Sequence, residues 1–500
     1  MLAENLRDRS WWWAAVAAAA FAGLLLRVAA AQGALWTDEA WSVIYAAEAG
    51  DPAGVFLRIN HDNNHHLYSL WLQAVGTDSP SWLARLPAIV AGTVSILVAA
   101  MLVGRRSAWA GIAAALLLAL SPTFVTFGSE ARGYALMLLA ALVLTLIATE
   151  ALERGAKAAT PWWLALVAAL GMLSHMTMAA PVGLVALWVY LDRRAAHGPA
   201  QALRTTVRLM GPAIAATAGI VALVFAAAWA SPTGMRLGGY LPFRWSDYAV
   251  ALDDLTRATV GLSALRPWAG PLVIGLVALA VAIRPPQWLG SRGRLYALLI
   301  LGVPVAAALL QPGNAGFSRY YLCSALGLLL LASEWLGRGL AQAGFARALA
   351  ASALGAIAFI GIGQDWELVE SQRGRPDGAV QLLARHSPGS ASVALDPWRL
   401  QGMMTLAAAR SGYALAIADG CAPAEFLVTA QTRFASAPLE IERCGTHMRA
   451  IGSAAGTPLT GDRWTLYRAE RLQTAGPAVS GPAPGARNRR LSGRAGVAQG

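Results

Sequence analysis

Long apolar segments separated by short arginine-bearing loops constrain this chain more than any other feature. Runs long enough to cross a bilayer, about 17–25 residues each, stand at 11–31, 82–103, 107–127, 132–150, 211–230, 267–284, 295–311, 318–336 and 343–363. Residues 161–191 are apolar throughout, yet Arg154 and Lys157 precede them and Arg193 and Arg194 follow. Basic flanks favour the cytoplasmic side, so this stretch is expected to cross twice. Each arm then has about 15 residues, roughly 23 Å at the helical rise, which is short for the hydrocarbon. The expectation is an α-helical polytopic membrane protein with about 11 transmembrane helices.

Composition supports that class. The chain is 57% hydrophobic and 13% charged, against about 25% charged in soluble proteins. A net charge of +12 would suggest nucleic acid in a soluble protein. Here the arginines lie in the short loops, where they control topology, and no nucleic-acid partner is expected. Placing the N-terminus in the cytoplasm puts Arg105, Arg106, Arg284, Arg292, Arg294 and Arg338 inside as well. The location expected is the cell (inner) membrane, with the C-terminus extracytoplasmic. Ala29-Ala30-Ala31 resembles a signal cleavage site, but the apolar run is longer than a signal core and contains Arg27.

After residue 363 the character changes. Residues 1–363 read as the membrane domain and 364–475 as a small extracytoplasmic α/β domain. Ala391-Ser392-Val393-Ala394-Leu395 and Glu425-Phe426-Leu427-Val428-Thr429 are expected as strands. Residues 476–500, rich in Gly, Pro, Ala and Arg, are expected to be disordered. Cys323 lies in an apolar run. Cys421 and Cys444 have the option of pairing in an oxidising compartment, but spacing alone does not decide it.

The topology gathers the unusual polar residues on one side. Asp38 and Glu39 follow the first crossing, and His61-Asp62-Asn63-Asn64-His65-His66-Leu67-Tyr68 lies in the same outer loop. Glu130, Arg132 and Tyr134 occupy the turn between the third and fourth crossings, His175 the tip of the short hairpin, and Arg319 and Tyr320 the start of the tenth crossing. Each has a bland reading. Asp38 and Glu39 suit a helix N-terminus, the arginines have stems that snorkel, and a single histidine is ordinarily structural. Together they suit group transfer from a phosphorylated lipid. Guanidinium grips phosphate oxygens, a carboxylate takes the proton from an attacking hydroxyl, and phosphate leaves without a separate acid. Histidines with carboxylates also have the donors for a divalent metal ion, with His65 and His66 as candidate ligands. Asp38 and Glu39 are adjacent and so do not suit a retaining pair; inversion is the simpler expectation.

Trp36-Thr37-Asp38-Glu39-Ala40-Trp41-Ser42 resembles the signature of GT-C membrane glycosyltransferases, in particular the protein-mannosyltransferase-like family 39. That group includes lipid A aminoarabinose transferases and lipopolysaccharide-core galacturonosyltransferases. Ser81-Trp82-Leu83-Ala84-Arg85-Leu86-Pro87, Ser129-Glu130-Ala131-Arg132-Gly133-Tyr134-Ala135, Leu173-Ser174-His175 and Ser318-Arg319-Tyr320-Tyr321-Leu322 extend the likeness. The resemblance implies a GT-C type fold and transfer of a sugar from a polyprenyl-phosphate donor on the extracytoplasmic face, to an acceptor glycan, lipid or protein. It implies Asp38 as catalytic base, Glu39 supporting the site or a metal, and Arg132 and Arg319 on the lipid phosphate. Glu130, Tyr134, His175, Tyr320 and Tyr68 complete the expected site. Where relatives often read His-Pro-Pro-Leu-Tyr, this chain has Asn64-His65-His66-Leu67-Tyr68, which leaves open whether His65 or His66 faces the site. Two readings from other classes stand beside this one. A lipid-linked-sugar flippase would call for charges near the bilayer midplane, and a non-catalytic envelope-assembly protein would act through the C-terminal domain.

Overall fold

Apolar segments in a bilayer have no water to satisfy their backbone groups, so they close their hydrogen bonds internally as helices. The computed structural model describes residues 10–470, apart from 233, 237, 240, 263–265 and 432–436. The segment 476–500 lies outside these residues. Among them, seven helices are long and apolar enough to cross a membrane: Ser10–Ala30, Leu86–Gly104, Tyr134–Arg154, Pro199–Ala230, Arg292–Leu310, Ser318–Ala341 and Phe345–Gly374. Shorter apolar helices stand at Ala108–Leu120, Thr160–Ser174 and Ala269–Ile283. Every segment anticipated as a crossing is thus helical, and a multi-pass membrane architecture follows. Leu223, Trp229, Leu309 and Phe359 point outward from the long helices at 71–90% exposure, as side chains facing lipid would.

Several boundaries differ from expectation for local reasons. The run 107–127 is two helices, Ala108–Leu120 and Pro122–Phe127, with Ser121 in extended backbone between them. Proline disfavours the helical conformation in the residue before it. The hairpin 161–191 turns at His175, whose backbone is extended, and its second arm Ala179–His197 has 19 residues because the helix runs on through the basic flank. The last apolar helix continues to Ser371, well past residue 363. An amphipathic helix, Trp245–Val260, stands in the connection between Pro199–Ala230 and Ala269–Ile283, where no helix was expected.

Beyond these helices lies one six-stranded sheet in the order β2-β1-β3-β6-β5-β4. Its strands are β1 (Ser390–Asp396), β2 (Ala414–Ala418), β3 (Phe426–Ala430), β4 (Glu440–Arg443), β5 (Thr446–Ala455) and β6 (Arg463–Ala469). β1 is parallel to β2 and β3, and the remaining pairs are antiparallel. The β1–β2 crossover is the helix Gln401–Arg410, since parallel strands need a long connection. The two expected strands are β1 and β3. Cys421 and Cys444 form a disulfide.

Strand alternation gives the sheet two apolar faces. Val393, Phe426, Val428, Trp464 and Leu466 join a core that also holds Leu400 and Met403 together with Leu35, Ala40, Val43, Tyr68, Ala88 and Ala131 from the outer end of the helical part. The sheet domain and the membrane helices therefore share one hydrophobic core. Ala394, Leu427, Met448 and Tyr467 form a separate cluster on the opposite face.

Candidate functional site

The shared core holds three outer segments in fixed relation. Asp38 is the second residue of the helix Thr37–Glu48. Arg132 sits in the turn between Pro122–Phe127 and Tyr134–Arg154, and Arg319 in the 3-10 turn Ser318–Tyr321. Arg132 Nη1 donates to Asp38 Oδ2 at 2.9 Å, and Arg319 Nη1 donates to the same oxygen at 3.1 Å. Arg132 Nη2 donates to Asn63 Oδ1 at 2.7 Å, while Asn63 Nδ2 donates to the Asp38 carbonyl and to Ser42 Oγ, each at 3.0 Å. Segments 94 and 281 residues apart in sequence thus meet on one carboxylate. Burial pushes the Asp38 carboxyl up, but the Arg132 and Arg319 guanidiniums together outweigh it and hold the group below its usual range. Its side chain keeps 24% of its surface exposed, so it is reachable.

Glu39 faces the other way. It is fully buried and pairs with Arg85, whose Nε donates to Oε1 at 2.8 Å and whose Nη2 bonds Oε2. The Ala131 N–H also donates to Oε1, at 2.6 Å. Arg85 fills its remaining donors with the carbonyls of Ala31, Gln32, Gly33 and Ala34. Burial pushes Glu39 up, yet Arg85 reverses this and holds it ionised below its usual range. The adjacent carboxylates of the Asp38-Glu39 motif therefore divide: one stays partly exposed between Arg132 and Arg319, and one is locked in a buried ion pair. A role for Glu39 in contact with substrate does not fit this position, because both its oxygens are already taken.

Behind Arg132 stands a wall of rings. The Arg132 guanidinium lies 5.0 Å from the centroid of Tyr134. Tyr134 and His175 are 4.3 Å apart, and His175 stacks on His65 at 4.8 Å. Gly133 permits this approach, because a Cβ there would meet the Ser174 carbonyl oxygen at 1.8 Å. His175 Nδ1 takes the Thr177 N–H at 3.1 Å. Burial, with Arg132 and Arg319 nearby, pushes the His175 imidazole down to about 3, and burial also leads in pushing His65 well below its usual value. Both rings are neutral at physiological pH. His65 is therefore the histidine beside the site, and His66 turns away to stack on Phe56 at 5.2 Å.

That divergence corrects the expected metal pair. His65 and His66 do not converge, and no group of three or more His, Cys, Asp or Glu side chains suited to a metal exists among the described residues. Asp38 has one oxygen occupied by two cations, which would repel a third. Tyr68 is also placed differently from expectation: it is buried and donates to the Ala84 carbonyl at 2.9 Å, so it packs the core and does not line the site. Tyr320 stays beside Arg319, whose guanidinium lies 5.7 Å from its ring centroid and 4.3 Å from that of Phe317.

Glu130 is buried, and its Oε1 accepts from Thr460 Oγ1 at 3.1 Å. Burial pushes its carboxyl up more strongly than Arg132 pulls it down. Sequence reasoning gave no role to Arg85, Asn63, Arg373, Thr460 or Asp462. Arg85 and Asn63 had a signal, since both lie within motifs quoted for other residues. Thr460 and Asp462 had none, because their partners are 330 and 425 residues away.

An apolar cavity of about 470 Å³ is lined by Tyr248, Leu252, Trp268, Leu276, Pro304 and Leu328 among others. Tyr248 at its edge lies 5.9 Å from Tyr321, two residues from Arg319.

Residues 64–229 match the family model described as dolichyl-phosphate-mannose-protein mannosyltransferase. Among solved structures the chain is similar to ArnT from Cupriavidus metallidurans bound to undecaprenyl phosphate, with 15% identity over 93% of this chain and 99% of that one, at a TM-score of 0.50. The apo state of ArnT matches at 14% identity over 94% and 100% of the two chains, also at 0.50. The Archaeoglobus fulgidus oligosaccharyltransferase tethered with an acceptor peptide matches at 11% identity and a TM-score of 0.45 over 80% of this chain, which spans 63% of the archaeal one. No curated protein matches the chain in sequence. At these identities the structural likeness is one of fold. By its matched segment the chain is similar to the dolichyl-phosphate-mannose-protein mannosyltransferases, and its fold is similar to that of ArnT.

Proposed function

We propose that this protein transfers a sugar from a polyprenyl-phosphate donor to an envelope acceptor on the extracytoplasmic face, with inversion. The observation that carries the reading is the convergence of Arg132 and Arg319 on Asp38. Two guanidiniums beside one reachable carboxylate form a grip for an anionic phosphate and a base for the nucleophile. The apolar cavity lined by Tyr248, whose ring lies 5.9 Å from that of Tyr321 in the turn bearing Arg319, offers a place for the isoprenoid tail.

In this reading an acceptor hydroxyl oxygen bonds the anomeric carbon from the face opposite the phosphate. The bond from that carbon to the phosphate oxygen breaks, and its electron pair leaves with polyprenyl phosphate. The hydroxyl proton passes to Asp38. Arg132 and Arg319 stabilise the negative charge that collects on the departing phosphate. His65, His175 and Tyr134 supply a neutral wall behind Arg132. No step is routed through a metal.

The test compares envelope lipids and glycans by mass spectrometry in cells with and without the gene. A sugar lost on deletion, regained with the wild-type gene and not with Asp38→Asn, is the expected result. An unchanged envelope profile, with purified protein that moves lipid-linked sugar between leaflets and modifies no acceptor, would instead establish a flippase.

A further inference from the structure

The helix that carries Asp38 has only a partial local cap, in which the Trp36 N–H donates to Glu39 Oε2 at 3.3 Å. Trp36, at its N-cap position, contributes no side-chain acceptor, although the free N–H groups of a first helical turn need partners. The Thr37 N–H finds its partner in the sheet domain: Asp462 Oδ2 accepts it at 2.8 Å. A carboxylate at a helix N-terminus is favourable in both hydrogen bonding and charge. The residue after Thr37 is Asp38.

The loop bearing Asp462 also reaches the other half of the site. Thr460 Oγ1 donates to Glu130 Oε1 at 3.1 Å, two residues from Arg132. The Asp462 N–H donates to the Arg373 carbonyl at 3.1 Å. Arg373, itself fully buried, donates to the Ser129 carbonyl at 2.9 Å and to Ser129 Oγ at 2.8 Å, and also bonds the Ala30 carbonyl. Close backbone approach makes this arrangement rigid: a Cβ on Gly374 would meet the Asp462 carbonyl oxygen at 2.2 Å. The contact is reinforced one turn further along the helix, where Trp41 Nε1 donates to the Arg399 carbonyl at 2.7 Å and its ring packs on Gly402.

We propose that Asp462 and Thr460 are positioning residues for the transfer reaction. Through them the sheet domain fixes the distance between the helix bearing Asp38 and the turn bearing Arg132. The inference rests on the proposed function, since it concerns the geometry of the same site. Neither side chain touches substrate in this account; each acts through the residue it holds. The Asp38–Arg132 and Asp38–Arg319 bonds are near 3 Å, so a displacement of about 1 Å at the helix start would break both, and misplacement on that scale costs roughly 100-fold in rate.

The test uses purified full-length protein, a synthetic polyprenyl-phosphate sugar, and acceptor from an envelope extract, with Asp38→Asn run alongside. Asp462→Ala is expected to lower kcat about 10–100-fold, with KM for the donor within about twofold. Asp462→Asn, which keeps an acceptor for the Thr37 N–H, is expected to restore kcat to within about threefold of wild type. Thr460→Val removes only a hydroxyl and is expected to lower kcat about fivefold; it decides the matter should Asp462→Ala fail to fold. Wild-type kcat in folded Asp462→Ala or in Thr460→Val would overturn the proposal. So would a loss in Asp462→Ala that Asp462→Asn does not recover. Full activity in Asp38→Asn would instead remove the reading of the site itself, which separates the two failures.

Discussion

Asp38 and Arg132 are joined through a single carboxylate oxygen, and Arg319 binds that same oxygen from the opposite strand of sequence. With both cations engaged, Asp38 is ionised but weakly basic, because its negative charge is already stabilised. A phosphate that enters competes for these guanidiniums. As it takes them, the carboxylate loses the charges that held its pKa down and becomes a stronger base. On the proposed function, donor binding and activation of the base are therefore one event.

Asp38→Asn separates the two parts of that event. The amide keeps the size of the carboxylate but neither takes a proton nor neutralises the arginines. Transfer is expected to fall about 10²–10⁴-fold, the usual contribution of a general base. Affinity for polyprenyl phosphate, followed by thermal shift, is expected to rise, since Arg132 and Arg319 no longer share their charge with Asp38. Weaker binding of the lipid phosphate in this variant would contradict the competition.

Arg132→Lys and Arg319→Lys are expected to raise the donor KM about tenfold or more, because lysine keeps the charge but loses the planar fork that reaches two acceptors. Arg132→Lys carries the larger effect. Its guanidinium also holds Asn63, which in turn fixes the Asp38 carbonyl, whereas Arg319 has no such second tie to that loop. Equal effects of the two substitutions on kcat and KM would remove the distinction.

Glu39 predicts a stability phenotype where its neighbour predicts a catalytic one. It forms a fully buried pair with Arg85, and removing one partner of such a pair ordinarily costs about 3–5 kcal/mol. Glu39→Gln is expected to lower the melting temperature and the yield of folded protein, and Asp38→Asn, whose carboxylate is partly exposed, to lower them less. Comparable melting temperatures in the two variants would show that the buried pair contributes little.

The division of labour within Asp38-Glu39 was not legible in the sequence, although the motif was. Apolar length and loop arginines were enough to place the helices, because in a bilayer those features have few alternative solutions. That Asp38, Arg132, His175 and Arg319 share one end of the helices was expected from counting crossings, and the structure brings them together. Adjacent residues on a helix point about 100° apart, so only one of the two carboxylates meets Arg132 and Arg319, and the choice depends on where Arg85 folds back. His65 and His66 divide in the same way. The sheet domain's hold on Thr37 and Glu130 left no local trace, since a cap supplied from 425 residues away imposes no spacing rule on either partner.

Acid sensitivity follows from the two neutral histidines behind Arg132. His175 is held down at about 3 by burial and by the nearby guanidiniums, while in the unfolded chain it titrates near 6.5. A group whose folded value is depressed in this way binds more protons when unfolded, so stability rises with pH across that window and is lost as pH falls from about 6.5 toward 3. At pH 4.5 the unfolded chain gains about 2–3 kcal/mol from this single residue, at 1.36 kcal/mol per unit. Asp38 does not confuse the measurement: its carboxyl is lowered below 3.8, so its own contribution fades only at more acid pH. His175→Gln removes the titration and keeps an acceptor for the Thr177 N–H. The variant's melting temperature is expected to fall less between pH 7 and pH 4.5 than the wild type's, with a residual slope from His65. Parallel acid losses in the two proteins would show that His175 is not buried neutral in the folded state, and that the wall behind Arg132 is wet.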